Sequence, residues 1–219
     1  YNGQLIKVTD ALGNVTTYAY GSTGCPSCGG GVDKLTSLTD ANGHATTYEY
    51  DTLGRLVKET DPLGNTITYT YDAKGNLTTK TDANGNTVGY SYDSLGRMIK
   101  KTYPDNTTAT YTYDAKGNIL TATNANISYT FTYDKDGRVT NVTDSNSRNI
   151  SYQYNALGNK TQMIYPEGSK VAYNYDKANQ LTSIVNGGGR TYAYQYDSLG
   201  RRTKLTYPNG VTTSYAYDN

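Results

Sequence analysis

A short motif that returns at a fixed spacing constrains this chain more than any other feature. Tyr-x-Tyr-Asp recurs along the sequence, and the second tyrosines from Tyr50 to Tyr113 lie 21 residues apart. A single step of 20 residues separates Tyr113 from Tyr133, and a step of 30 separates Tyr20 from Tyr50. Such a period is typical of repeat proteins, in which each unit buries apolar surface against its neighbours. The chain is therefore predicted to be an array of about ten similar units.

Two turn signals divide each unit. One follows the tyrosines directly, as in DTLGR at 51–55, and the other comes half a period later, as in DPLGN at 61–65. Aspartate can accept a hydrogen bond from the backbone two residues on, and glycine supplies the positive φ that closes such a turn. The spacing leaves about 5–6 residues for each strand. We therefore predict an all-β fold, a continuous antiparallel curved sheet of about ten tandem β-hairpins of roughly 21 residues, as a spiral shell or β-solenoid.

Side-chain alternation gives each predicted strand two different faces. In the segment 66–71, Ile67, Tyr69 and Tyr71 share one face, and threonines occupy the other. On the returning strand the apolar positions lie three residues apart, as at Leu35 and Leu38. Because a spacing of three changes face, we predict a bulge or kink in this strand that twists and curves the sheet.

The composition fits such a sheet and excludes several classes of function. Leu, Ile, Val and Phe make up only about 15% of the residues, so the apolar surface is carried mostly by 25 tyrosines. The net charge of +1 provides no basic footprint for nucleic acid. No apolar run approaches the roughly 20 residues that a membrane span requires. We therefore expect neither a nucleic-acid partner nor membrane insertion.

The repeated residues are predicted to be structural rather than catalytic. His44 is the only histidine, and the carboxylates recur in register instead of converging as one pair, so no catalytic site or enzyme activity is expected. One carboxylate per turn is also too few for a calcium site. No cofactor or metal is expected. The predicted structural residues are Tyr48, Tyr50, Asp51, Gly54, Tyr69, Tyr71, Asp72, Gly75, Tyr90, Tyr92, Asp93, Gly96, Tyr111, Tyr113, Asp114 and Gly117.

The repeated Tyr-x-Tyr-Asp-x-x-Gly-Arg-Leu and Thr-Asp-x-x-Gly-Asn motifs resemble the YD repeats of the Rhs (rearrangement hotspot) family. That family includes bacterial polymorphic toxins, shell-forming components of Tc toxins, wall-associated proteins and teneurins, and the resemblance covers essentially the whole chain. It implies a long β-sheet that spirals into a hollow shell, which in toxin members encloses a C-terminal polypeptide. Nothing in the chain matches the family's autoproteolytic segment.

The resemblance implies a structural scaffold: a segment of the shell of a large exported protein, extracellular or at the cell surface. The expected partners are neighbouring repeats of the same or identical chains and an encapsulated polypeptide. Residues 1–219 are expected to form one array, cut from a longer protein at both ends. Two alternatives stay open, namely a self-assembling extracellular β-fibre formed through open sheet edges, and an adhesion or glycan-binding module that uses the tyrosine rows.

The long first step of the period locates an inserted loop at 21–32 that contains Cys25 and Cys28. A Cys-x-x-Cys pair can form half of a tetrahedral zinc site, but the chain has no second pair. In an exported protein, as the resemblance implies, a disulfide between Cys25 and Cys28 is the expected state. Metal or cofactor attachment and free thiols remain alternatives.

Overall fold

The regular elements of the chain are all β-strands. The computed structural model describes residues 3–21 and 34–218, and within them no helix is long and apolar enough to cross a membrane. Paired strands are antiparallel and follow one another in sequence. The predicted all-β hairpin array is confirmed. The strands are β1 (Lys7–Thr9), β2 (Val15–Gly21), β3 (Lys34–Thr39), β4 (Ala45–Tyr50), β5 (Leu56–Thr60), β6 (Thr66–Tyr71), β7 (Leu77–Thr81), β8 (Thr87–Tyr92), β9 (Met98–Thr102), β10 (Thr108–Tyr113), β11 (Ile119–Thr123), β12 (Ser128–Tyr133), β13 (Val139–Asp144), β14 (Asn149–Tyr154), β15 (Lys160–Ile164), β16 (Lys170–Tyr175), β17 (Leu181–Val185), β18 (Thr191–Tyr196), β19 (Arg202–Thr206) and β20 (Thr212–Ser214).

The chain divides into two compact units, Tyr1–Thr110 and Tyr111–Asn219, and the boundary falls within β10. Each unit is built in the same way, from hairpins that pair with the next hairpin along the chain. Most of the predicted inserted loop, including both cysteines, lies outside the described residues. That residues 1–219 form one array cut from a longer protein stays a prediction.

A β-bulge recurs on the returning strands of the hairpins. Tyr50 of β4 lies opposite Leu56 of β5, whereas Glu49 lies opposite Lys58, so Val57 has no residue directly opposite it. The bulge that the apolar spacing predicted is thus confirmed, and it brings residues three apart onto the same face. The same shift recurs in β2–β3, β6–β7, β8–β9, β12–β13, β14–β15, β16–β17 and β18–β19.

Most turns have one geometry. In residues 51–55, the Gly54 N–H donates to the Asp51 carbonyl at 2.9 Å, and the Asp51 N–H donates to the Arg55 carbonyl at 2.9 Å. Gly54 has a φ of 76°, which is the left-handed conformation that closes this type of hairpin loop. The turn at 124–127 is one residue shorter, since the Asn124 N–H donates directly to the Ile127 carbonyl at 2.9 Å. This shorter turn accounts for the single 20-residue step.

Neither unit has a thick core. Among the described residues only Ala109, at 7% exposed, is buried. In the strands, both tyrosines of the Tyr-x-Tyr pair are half-buried while the residue between them is exposed, as in β4 and β6. Turn leucines such as Leu53 and Leu63 are 63% and 87% exposed. Burial therefore comes from neighbouring side chains along one face of the sheet.

The turn glycine provides a test of this local geometry. Gly75 has a φ of 91° and open space where a Cβ would lie. We expect Gly75→Ala to lower the free energy of unfolding by about 1–2 kcal/mol, because a Cβ strains the left-handed conformation. Urea unfolding followed by circular dichroism measures this. As the control, Gly89→Ala lies within β8 and is expected to change stability by less than about 0.5 kcal/mol. Equal losses in the two variants would contradict the turn assignment.

Candidate functional site: the contacts between neighbouring repeats

The turn aspartate organises its own turn. Oδ1 of Asp51 accepts hydrogen bonds from the N–H groups of Leu53 and Arg55, both at 2.9 Å. Its Oδ2 accepts a hydrogen bond from Arg55 Nε at 2.7 Å. In other turns Asn or His takes the place of Arg, and the Nδ1 atom of His44 lies 3.2 Å from Asp40 Oδ2. Both carboxylate oxygens of Asp51 thus accept hydrogen bonds within the turn.

These hydrogen bonds set the ionisation of the carboxylates. The pKa of Asp51 lies below its usual value because the backbone N–H of Arg55, and then the Arg55 side chain, stabilise the charged form. The pKa of Asp72 is lowered first by the side-chain amide of Asn76 and then by its backbone N–H. Such carboxylates stay ionised at neutral pH and act as structural acceptors, whereas a general acid needs a raised pKa.

The turn arginine joins one repeat to the next. Arg55 binds Asp51 in its own turn, and its guanidinium lies 4.8 Å from the centre of the Tyr71 ring in the following repeat. Its Nη1 also donates to the carbonyl of Asp72 at 2.9 Å. A planar guanidinium can make all three contacts at once, which lysine cannot. The same set of contacts is made by Arg138 with Tyr154 and Asn155, and by Arg201 with Tyr217 and Asp218.

The second tyrosine of each motif bonds the backbone of the preceding strand. Tyr71 Oη donates to the carbonyl of Leu56 at 2.8 Å. The β5–β6 ladder ends at the pair Lys58 and Thr68. The Leu56 carbonyl lies beyond that end, and the Tyr71 hydroxyl supplies it with a hydrogen-bond donor. The equivalent bonds are Tyr20–Leu5, Tyr50–Leu35, Tyr92–Leu77, Tyr133–Ile119, Tyr154–Val139, Tyr175–Lys160, Tyr196–Leu181 and Tyr217–Arg202.

The first tyrosine of the motif has a different role. In the described part of the chain, no first-position hydroxyl takes part in a hydrogen bond, and Tyr69 is an example. Phe131, the only phenylalanine, stands at a first position, whereas the second position holds tyrosine in each motif. The two tyrosines that look equivalent in the sequence are therefore distinct: one contributes a ring, the other a ring and a hydrogen bond.

The predicted structural residues lie at equivalent places in successive hairpins. Tyr111 and Tyr113 end β10, Asp114 accepts a hydrogen bond from Asn118 Nδ2 at 2.8 Å, and Gly117 has a φ of 94°. Their role as the structural residues of the repeat stays a prediction. Sequence reasoning missed the bridging arginines, whose signal was the recurrence of Arg immediately after the turn glycine.

Cys25 and Cys28, the predicted disulfide pair, lie outside the described residues. Across residues 3–21 and 34–218, no group of three or more His, Cys, Asp or Glu side chains is arranged to hold a metal ion. Within the described residues, the groups that recur along the array are the turn Asp or Asn, the side chain that ends the turn and the tyrosine pair. These contacts define the candidate site as a joint between repeats.

The fold defines the class of the protein. It is a tandem β-hairpin repeat protein in which turn arginines and tyrosine hydroxyls join neighbouring repeats. The family model "RHS Repeat" matches residues 1–24, 31–66, 50–87 and 71–108, and the model "Teneurin YD-shell" matches residues 105–219. The chain belongs to the YD-repeat (Rhs) family. No curated protein sequence matches it.

Solved structures share this fold. The crystal structure of TcdB2-TccC3 without its hypervariable C-terminal region matches with a TM-score of 0.66 at 18% identity. The structure of the Photorhabdus luminescens Tc holotoxin pore matches with a TM-score of 0.65 at 18% identity. In both cases 97% of this chain is covered, but only 15% of the other chain. At this identity the likeness shows the fold alone.

The tyrosine hydroxyls give a matched pair of variants within one repeat. Tyr71→Phe removes the bond to the Leu56 carbonyl and is expected to lower the free energy of unfolding by about 1 kcal/mol. Tyr69→Phe removes a hydroxyl that forms no such bond, so its stability should match that of the wild type. Urea unfolding of both variants checks this. A Tyr69→Phe loss as large as that of Tyr71→Phe would contradict the distinction between the positions.

The turn carboxylates predict acid sensitivity. Folding lowers the pKa of Asp51, Asp93 and Asp197 below 3.8, so each contributes stability above that pH, which is lost as the pH falls through the lower folded pKa. The melting temperature should therefore drop steeply below about pH 4. A variant with Asn at all three positions keeps acceptors for the turn N–H groups, as Asn155 does, and should show a shallower drop. Parallel curves for the two proteins would refute this.

Proposed function

We propose that the chain is a structural segment of the wall of a shell, within a large exported protein that encloses or presents another polypeptide. The family and the shared fold with Tc toxin components support a shell-building role. The chain spans about 15% of the chains it resembles, so the enclosed polypeptide and the exported location belong to this proposal.

The observation that carries the proposal is the joint between repeats. Arg55 and Tyr71 connect neighbouring hairpins; the tyrosine bond recurs along the array, and the arginine bridge is repeated at Arg138 and Arg201. Because stabilisation is between neighbours, such a wall can be extended by adding repeats. A wall of this kind needs no catalytic group, and the turn carboxylates are already engaged by their own turns. We therefore propose a non-catalytic role.

Electron microscopy of the native, full-length protein tests the proposal. Closed particles of uniform size, with the repeats forming the wall around an enclosed density, are the expected result. Limited proteolysis before and after opening the particle with mild denaturant would show whether a segment is protected inside. Fibres with a regular rise would instead support the self-assembling alternative and overturn the shell.

A further inference from the structure

One turn arginine has no carboxylate at the start of its own turn. Arginine ends six turns in the sequence, and five of these turns begin with aspartate, whereas the turn at 186–190 begins with Asn186. The side-chain oxygen of Asn186 accepts hydrogen bonds from the N–H groups of Gly188 and Arg190, both at 3.0 Å. The other polar atom of the amide is a nitrogen, which donates and cannot accept a bond from a guanidinium. Within the described residues, the guanidinium of Arg190 accordingly forms no ion pair and no hydrogen bond.

The equivalent turn two repeats earlier, at 144–148, shows what a carboxylate does in this position. Oδ1 of Asp144 accepts hydrogen bonds from the N–H groups of Asn146 at 2.9 Å and Arg148 at 3.0 Å, so the backbones of the two turns are bonded alike. Oδ2 of Asp144 then accepts a hydrogen bond from Arg148 Nε at 2.6 Å. Of the two arginines, Arg148 therefore has its charge matched within its own turn and Arg190 does not.

Arg190 lies in the wall of an open cleft of about 500 Å³ within the second unit. Tyr192, Tyr207, Pro208 and Asn209 complete the lining. The two tyrosine rings meet edge to face, with their centres 6.2 Å apart and their planes at 73°. Tyr207 is 37% exposed, so part of its ring is open to a ligand. No Asp or Glu is among the described residues that line this cleft, which we call the Arg190 cleft.

The polar groups of the Arg190 cleft are mainly hydrogen-bond donors. Within the part of the chain that the structure describes, neither the Tyr192 nor the Tyr207 hydroxyl forms a hydrogen bond, so both are available beside the guanidinium. A guanidinium binds a carboxylate through two parallel hydrogen bonds, which fixes the plane of the bound anion. The tyrosine rings and Pro208 form an apolar wall, against which an aromatic group packs edge to face or in an offset stack. A concave apolar surface with a few converging polar groups is typical of a ligand site.

We propose that the Arg190 cleft binds a carboxylate that is joined to an aromatic ring. The guanidinium holds the carboxylate, and the aromatic ring of the ligand lies against Tyr207 and Pro208. This carboxylate belongs either to a free small molecule or to the C-terminus of a polypeptide that ends in an aromatic residue. The site goes beyond the proposed shell role and does not depend on it, because all of its residues lie within one unit.

Titration of the isotope-labelled whole chain with sodium benzoate, followed by NMR spectra of the backbone amides and arginine Nε–H groups, tests the proposal. At constant ionic strength we expect saturable shifts at Arg190, Tyr192 and Asn209. Benzamide has the same shape without the charge, and acetate has the charge without the ring. Each should bind at least roughly tenfold more weakly than benzoate, because each loses one of the two kinds of contact.

The two equivalent turns supply a matched set of variants. Asn186→Asp provides the second oxygen that Asp144 provides for Arg148, and it keeps the acceptor for the turn N–H groups. It should therefore fold normally and bind benzoate roughly tenfold more weakly. Arg190→Gln removes the guanidinium and should weaken binding by a similar factor. Arg148→Gln is the control and should bind like the wild type, since Asp144 already holds that arginine.

Four results would overturn the proposal: no saturable shift at Arg190, equal binding of benzamide or of inorganic phosphate, wild-type affinity in Asn186→Asp, or an equal loss in Arg148→Gln. Circular dichroism establishes that each variant is folded. A tripeptide that ends in phenylalanine with a free carboxylate distinguishes the two sources of the ligand. If it binds more tightly than benzoate, and amidation abolishes this, the site accepts a polypeptide C-terminus; if benzoate binds more tightly, the site accepts a small molecule.

Discussion

The structure depends on how few of the described residues in either unit are fully buried. Sheets ordinarily bury one face against helices or another sheet, and most stabilisation then comes from a core. Here only Ala109 is buried, so the hydrophobic contribution is spread thinly over half-buried tyrosines and aliphatic residues. Hydrogen bonds and cation–π contacts between adjacent hairpins must therefore fix much of the strand register. The tyrosine hydroxyls supply such contacts along the array, and Arg55, Arg138 and Arg201 add a second contact at their turns.

The small amount of buried surface also explains the combination of turns, bulges and hydroxyl bonds in each repeat. Tight turns bring each strand back beside the last, and the bulge on the returning strand places Leu56 and Glu59 on the same face despite their odd spacing. The Tyr71 hydroxyl then bonds a backbone carbonyl that the strand ladder does not reach. The turn, the bulge and the tyrosine hydroxyl thus complement one another. A change of one residue is absorbed in a turn, as at 124–127, and the strands keep their pairing.

A wall stabilised by nearest neighbours suits a role in which length is adjustable and both faces are available. The two faces of the hairpins differ chemically: threonine hydroxyls bond one another on one face, and the half-buried tyrosine rings lie on the other. For a shell this asymmetry matters, because the two sides meet different surroundings.

Much of the fold could be predicted from the sequence, because the sequence patterns that indicate hairpins, turns and bulges are local. The period, the Asp and Gly of each turn and the apolar spacing around Leu35 and Leu38 are fixed by backbone geometry over a few residues, so hairpins, turns and bulges were predictable. The difference between the two tyrosines of a motif was not predictable from the sequence, because Tyr69 and Tyr71 have the same side chain and lie on the same face of the strand. Only the tertiary structure places one hydroxyl beside the Leu56 carbonyl, 15 residues earlier. The bridging role of Arg55 was likewise decided by strand register, because contacts between repeats depend on which residues pairing brings together.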